Sequence, residues 1–147
     1  MPARRSSAPR TTAPPPFIVV TGISGSGKSQ AIRALEDLGY FCVDNLPTAL
    51  IPTLAQLVAR GALERVAIVV DVREQRFLSA FPTVFRKLRA RRGLNPTLIF
   101  LDAADESLVR RFSETRRAHP MGRGGSVVEG IREERPRMAP ICALADE

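Results

Sequence analysis

Eight consecutive residues carry the clearest chemistry in this chain: Gly22-Ile23-Ser24-Gly25-Ser26-Gly27-Lys28-Ser29 fits G-x-x-x-x-G-K-[ST]. They follow an apolar run and open an amphipathic segment, the strand, loop, helix setting that gives the pattern meaning. Glycines 22, 25 and 27 permit backbone angles that side chains forbid, and let amide N–H groups crowd round a phosphate. The next helix directs its positive dipole end at the same anion. Lys28 is the residue to reach the β- and γ-phosphates, and the Ser29 hydroxyl the one to ligate Mg²⁺.

Such a site needs a second metal-side group, usually an aspartate at the carboxyl end of a strand beside the first. Val66-Ala67-Ile68-Val69-Val70-Asp71 ends in one, and Asp71 is the first choice. Thr97-Leu98-Ile99-Phe100-Leu101-Asp102 repeats the pattern, which makes Asp102 the competitor, or else the cap of a helix starting near Asp105. Arg116 and Arg117 are candidates for a lid over a transferred phosphate, because the planar guanidinium binds oxyanions bidentately. His119, the sole histidine, precedes a proline and reads as a structural or solvated residue.

The elements that must position these groups alternate regularly. Phe17 to Thr21 is apolar on both faces, as a buried parallel strand would be. Ala31, Ile32, Leu35 and Leu38 recur at helical spacing up to Gly39. Tyr40 to Val43 reads as a second buried strand. Asp44 or Asn45 is expected to cap the next helix, with Pro47 in its first turn and Leu50, Leu54, Leu57 and Val58 as its apolar stripe. After the strand ending at Asp71, a helix from about Gln75 to Arg91 carries the densest basic face, Arg86, Lys87, Arg89, Arg91 and Arg92, which reads as a solvated helix end ahead of an RNA or phosphate surface. A fourth strand and a helix bearing Leu108, Val109 and Phe112 come next. Ser126-Val127-Val128-Glu129 is a capping box that starts a last helix, and Pro136 and Pro140 are expected to interrupt the chain beyond it.

Four βα units with short connections and no hairpin signals imply a parallel sheet with helices on both faces, a P-loop α/β fold of nucleoside-kinase type. Such a fold has a fifth strand after the last helix, and none is legible before Glu147. The expectation is therefore a domain over residues 17–147 lacking its last strand.

The 147 residues are one domain's worth, and 44% hydrophobic content is ordinary for a protein with a real core. The formal charge of +7 comes almost wholly from arginine and favours anionic partners. Arginine surplus alone decides nothing, since a basic surface can also reflect composition. Cys42 and Cys142 have no metal-ligand spacing and suggest reduced thiols in a cytoplasmic protein. No apolar run approaches the roughly 18 residues of a membrane span. Residues 1–16 lack acidic and nearly all large apolar residues, and read as a disordered basic, proline-rich leader. Its prolines and missing apolar face speak against a transit peptide.

Taken together, Gly22 to Ser29, Ala34-Leu35-Glu36-Asp37-Leu38-Gly39-Tyr40 and Cys42-Val43-Asp44-Asn45-Leu46-Pro47 resemble the amino-terminal domain of the RapZ/YvcJ family, bacterial RNase adapter and nucleotide-binding proteins. Asp71-Val72-Arg73, Phe100-Leu101-Asp102-Ala103 and Arg110 to Arg117 leading to His119-Pro120 extend the resemblance. It implies binding of ATP and GTP with weak hydrolysis, and a guanine-nucleotide contact at Asp71, Val72, Arg73 and Glu74. In some members it also implies presentation of a small RNA to an endoribonuclease. Against that resemblance, the chain is expected to depart from the family by its leader and by lacking both the fifth strand and the carboxy-terminal domain to which RNA and metabolite binding are ascribed.

Three functions stand as expectations. The first is a regulatory nucleotide-binding protein with slow ATPase and GTPase activity, using Lys28 and Asp71. The second is a small-molecule or nucleotide kinase with Asp44 near the acceptor and Arg116 and Arg117 as its lid. The third is an RNA-binding adapter switched by nucleotide. No glutamate or glutamine can be assigned from sequence as the residue that positions an attacking water.

Overall fold

The computed structural model describes residues 16–70, 75–91, 93–115 and 127–147. The strands are β1 (Phe17–Gly22), β2 (Phe41–Asp44), β3 (Val66–Val69) and β4 (Pro96–Leu101). The helices are α1 (Lys28–Asp37), α2 (Ile51–Ala59), α3 (Gln75–Ala90), α4 (Asp105–Thr115) and α5 (Val127–Cys142), with a 3₁₀ turn at Thr48–Leu50 before α2. All four strands are parallel, in the order β2-β3-β1-β4, so β1 is central and pairs Phe17 with both Val66 and Pro96.

Alternation along β1 sends its side chains into two layers. Phe17, Val19 and then Ile23 join the larger core, with Ile51 and Ala55 of α2, Phe81 and Phe85 of α3, Leu108 of α4 and Ile131, Met138 and Ile141 of α5. Ile18 and Val20 face the other way, against Ala31, Ile32 and Leu35 of α1. Helices thus cover both faces, the arrangement a parallel sheet requires.

Several sequence expectations are corrected. β2 is an edge strand rather than a buried one, and Phe41 is 56% exposed. Neither Asp44 nor Asn45 caps α2, because the 3₁₀ turn intervenes; Asp44 Oδ1 instead accepts from the N–H of Asn45 at 2.9 Å. Of the expected apolar stripe of α2, Val58 is buried and Leu54 packs against the core, whereas Leu57 and Leu50, which lies in the 3₁₀ turn, are exposed, and Ile51 and Ala55 complete the buried face. Pro136 and Pro140 lie within α5 without ending it. Both are on its exposed face, where carbonyls deprived of an N–H partner can bond to water. Ser126, the proposed cap of α5, lies outside the described residues, as do residues 1–15 of the expected leader. Pro16, counted with that leader, already accepts from Val66 N at 3.0 Å.

The last residues begin to line the free edge of β4. Glu147 N donates to Leu98 O and Phe100 N donates to Glu147 O at 3.0 Å, the pattern of parallel pairing, and Asp146 Oδ2 accepts from Leu98 N at 2.9 Å. Arg89 of α3 holds the same segment by donating to Leu144 O and pairing with Asp146 at 3.2 Å. One residue of the supposedly solvated basic face is therefore an anchor.

Candidate functional site

The loop between β1 and α1 starts in the middle of the sheet, at the carboxyl ends of the strands. Ile23 N donates to Leu101 O at 3.1 Å, which carries the β1–β4 pairing one residue beyond the strand. A tight turn follows, closed by Ser26 N donating to Ile23 O at 3.0 Å, with Ser24 and Gly25 as its central residues. Gly27 then adopts the left-handed conformation, φ 108° and ψ 23°, as the residue capping α1. That angle favours glycine, which explains its place in the motif.

Two features suit this loop to an anion. The amino terminus of α1 has no side-chain cap and no acidic residue in its first turn, so no carboxylate of that turn competes with an anion there. The Ser26 Oγ is buried without a hydrogen-bond partner, which a buried hydroxyl rarely tolerates. Lys28 folds back along the loop and donates to Gly22 O and Ile23 O, both at 3.2 Å. Its ammonium therefore stays with the loop instead of entering the apolar core, while Ser29 is exposed.

The loop is also braced from behind. Arg111 of α4 donates to Gly25 O at 2.8 Å, and a Cβ on Gly25 would lie 3.1 Å from the Phe112 ring. Glu134 of α5 accepts from Ser24 N at 2.7 Å and from Ser24 Oγ at 3.0 Å. At the neighbouring strand end, Arg135 donates to both carboxylate oxygens of Asp102 at 3.0 Å, to Asp105 and to Ala103 O. Burial works against the Arg135 charge, but Asp105 and Asp102 outweigh it and hold the guanidinium above its usual range. A cavity of about 400 Å³ opens between β4 and α5, lined by Ile23, Phe100, Asp102, Arg135, Met138 and Cys142 among others. Neither Lys28 nor Ser29 borders it, so it is separate from the loop's anion-facing side.

Residues 16–146 match the RapZ-like N-terminal domain family. The chain belongs to that family. A nucleotide-binding protein of Myxococcus xanthus (strain DK1622) is 53% identical over 131 residues, covering 89% of this chain and 45% of its own length. Another, of Solibacter usitatus (strain Ellin6076), is 48% identical over 145 residues, covering 98% and 44%. The chain thus spans less than half the length of these relatives. Among solved structures, a gluconokinase from Sinorhizobium meliloti 1021 covers 90% of this chain and 94% of its own, at 24% identity and a TM-score of 0.42, too distant to bear on substrate.

For this RapZ-like domain, the structure places Gly22 at the end of β1, Ile23 to Gly27 in the connecting loop, and Lys28 and Ser29 at the start of α1. Asp71, Val72, Arg73 and Glu74 lie outside the described residues, as do Arg116, Arg117 and His119. Val70, the residue before Asp71, is buried beside β1, where its carbonyl accepts from Thr21 Oγ1 at 3.0 Å. Asp102, the rival metal group, has both oxygens engaged by Arg135. No cluster of three or more His, Cys, Asp or Glu side chains that could hold a metal occurs among the described residues. No described helix is long and apolar enough to cross a membrane.

Sequence reasoning passed over Glu134 and Arg135. A signal existed: Ile131, Glu134, Met138 and Ile141 recur at helical spacing, which places a carboxylate on a buried apolar stripe.

Proposed function

We propose that this chain binds ATP and GTP through the loop Gly22 to Ser29 and hydrolyses them slowly, as a nucleotide-responsive regulatory domain of the RapZ-like family. The observation that carries this reading is the uncapped start of α1 behind a left-handed Gly27, with the Lys28 ammonium held along the same loop. The names of the relatives, nucleotide-binding proteins, point the same way.

In this reading Lys28 meets charge on the β- and γ-phosphates, and the loop amides supply donors that need no rearrangement. Ser29 and Asp71 would hold Mg²⁺, which supplies neutralisation of phosphate charge. Asp71, Val72, Arg73 and Glu74 would contact the guanine nucleotide. Slow turnover fits the lack of an assignable residue to orient the attacking water. Bound nucleotide would be read out by a small RNA and an RNase partner, in the cytoplasm.

Incubation with γ-labelled ATP and GTP tests the reading. Label released only as free phosphate, at a rate well below the roughly 1–100 s⁻¹ of kinases, supports it. Label appearing on a small metabolite would replace it with a kinase.

A further inference from the structure

Glu134 is fully buried, on the same stripe of α5 as Ile131, Met138 and Ile141. A buried carboxylate is costly to desolvate, so its position requires partners that matter. Among them are the N–H and the hydroxyl of Ser24, at 2.7 and 3.0 Å, 110 residues away in sequence. Ser24 is the first central residue of the turn closed by Ser26 N and Ile23 O, and the N–H at such a position has no partner within the turn. A second polar group of that turn, Gly25 O, accepts from Arg111 of α4. The residue after Glu134, Arg135, ties α5 to Asp102 and Ala103 at the end of β4. Adjacent residues of one helix thus hold the carboxyl ends of two adjacent strands.

We propose that Glu134 is a positioning residue of the phosphate loop: by fixing the Ser24 peptide from behind, it sets the direction of the amides that come after it before any anion arrives. Glu134 does not touch the ligand in this account. It lowers the ordering cost of binding, as preorganised sites do. The ligand part of the inference rests on the nucleotide reading above, whereas the shaping of the loop is measurable without ligand.

The test compares Glu134→Met, Glu134→Gln and Glu134→Asp in the full chain by amide hydrogen exchange at Ser24 and by calorimetric affinity for ATP and for inorganic tripolyphosphate. Methionine removes the acceptor, and Ser24 exchange should accelerate, and both affinities weaken, by about tenfold or more. Glutamine keeps an acceptor oxygen at the same reach and should restore both. Aspartate keeps the carboxyl group but withdraws it by one methylene, and should speed Ser24 exchange even if the methionine variant does not fold. Unchanged Ser24 exchange in the folded methionine or aspartate variant would overturn the proposal, as would a glutamine variant no better than methionine. If the parent chain binds neither ATP nor tripolyphosphate, the nucleotide reading fails, and the exchange measurements still decide whether Glu134 shapes the loop.

Discussion

Gly22 and Leu101 approach so closely that a Cβ on Gly22 would lie 2.2 Å from the Leu101 carbonyl oxygen, and the glycine's φ of 152° disfavours a side chain as well. The first glycine of the motif is therefore a packing requirement between β1 and β4 as much as a feature of the loop. Gly22→Ala should lower unfolding stability by roughly 3 kcal/mol or more, combining overpacking with backbone strain. Urea titration measures this; a variant within experimental error of the parent would show that the strands part without cost.

The Arg135 network should have a small but measurable weight. Its side chain and those of Asp102 and Asp105 are 33%, 50% and 59% exposed, so each pair is screened by solvent. Arg135→Ala should cost about 1 kcal/mol, and less in 1 M salt. Arg135→Lys should recover only part of it, since an ammonium cannot span Asp102, Asp105 and Ala103 O as the guanidinium does. Full recovery with lysine would mean that charge alone matters there.

Alkaline pH should destabilise the domain at the α1–β2 junction. Burial pushes the Tyr40 phenol above 10.0, with the nearby Arg65 guanidinium pulling the other way, and burial followed by the charge of Glu36 raises the Cys42 thiol above 9.0. Both groups are neutral when protonated, and their folded pKa values exceed the unfolded ones. Their contribution is thus fully present below the unfolded pKa values and is lost as pH climbs through the folded ones. Urea midpoints measured upward from about pH 9 should fall, and Tyr40→Phe should blunt the decline above about pH 10. Parallel profiles for parent and variant would contradict the assignment.

Local pattern dictated whatever could be read from the residues. Phe17 to Thr21 and Val66 to Val69 are apolar on both faces because both faces are covered, and the motif from Gly22 to Ser29 is written in consecutive residues. Edge position was not legible: Tyr40 to Val43 looks as apolar as a central strand, and only the sheet order reveals that Phe41 faces solvent. Prolines 136 and 140 misled because their effect depends on which helix face they occupy. The bracing of the loop by Arg111 and Glu134 depends on contacts 86 and 110 residues apart, which no local window contains.

The most direct test of the central claim is calorimetric titration of ATP and GTP, with Mg²⁺, into the parent chain and Lys28→Ala. The parent should bind both nucleotides. The variant should lose at least tenfold in affinity, because the charged contact it removes is worth about 1.5–3 kcal/mol or more and neutral amides cannot replace it. A Lys28→Ala chain that binds ATP and GTP as tightly as the parent would contradict the assignment of this loop as the nucleotide site.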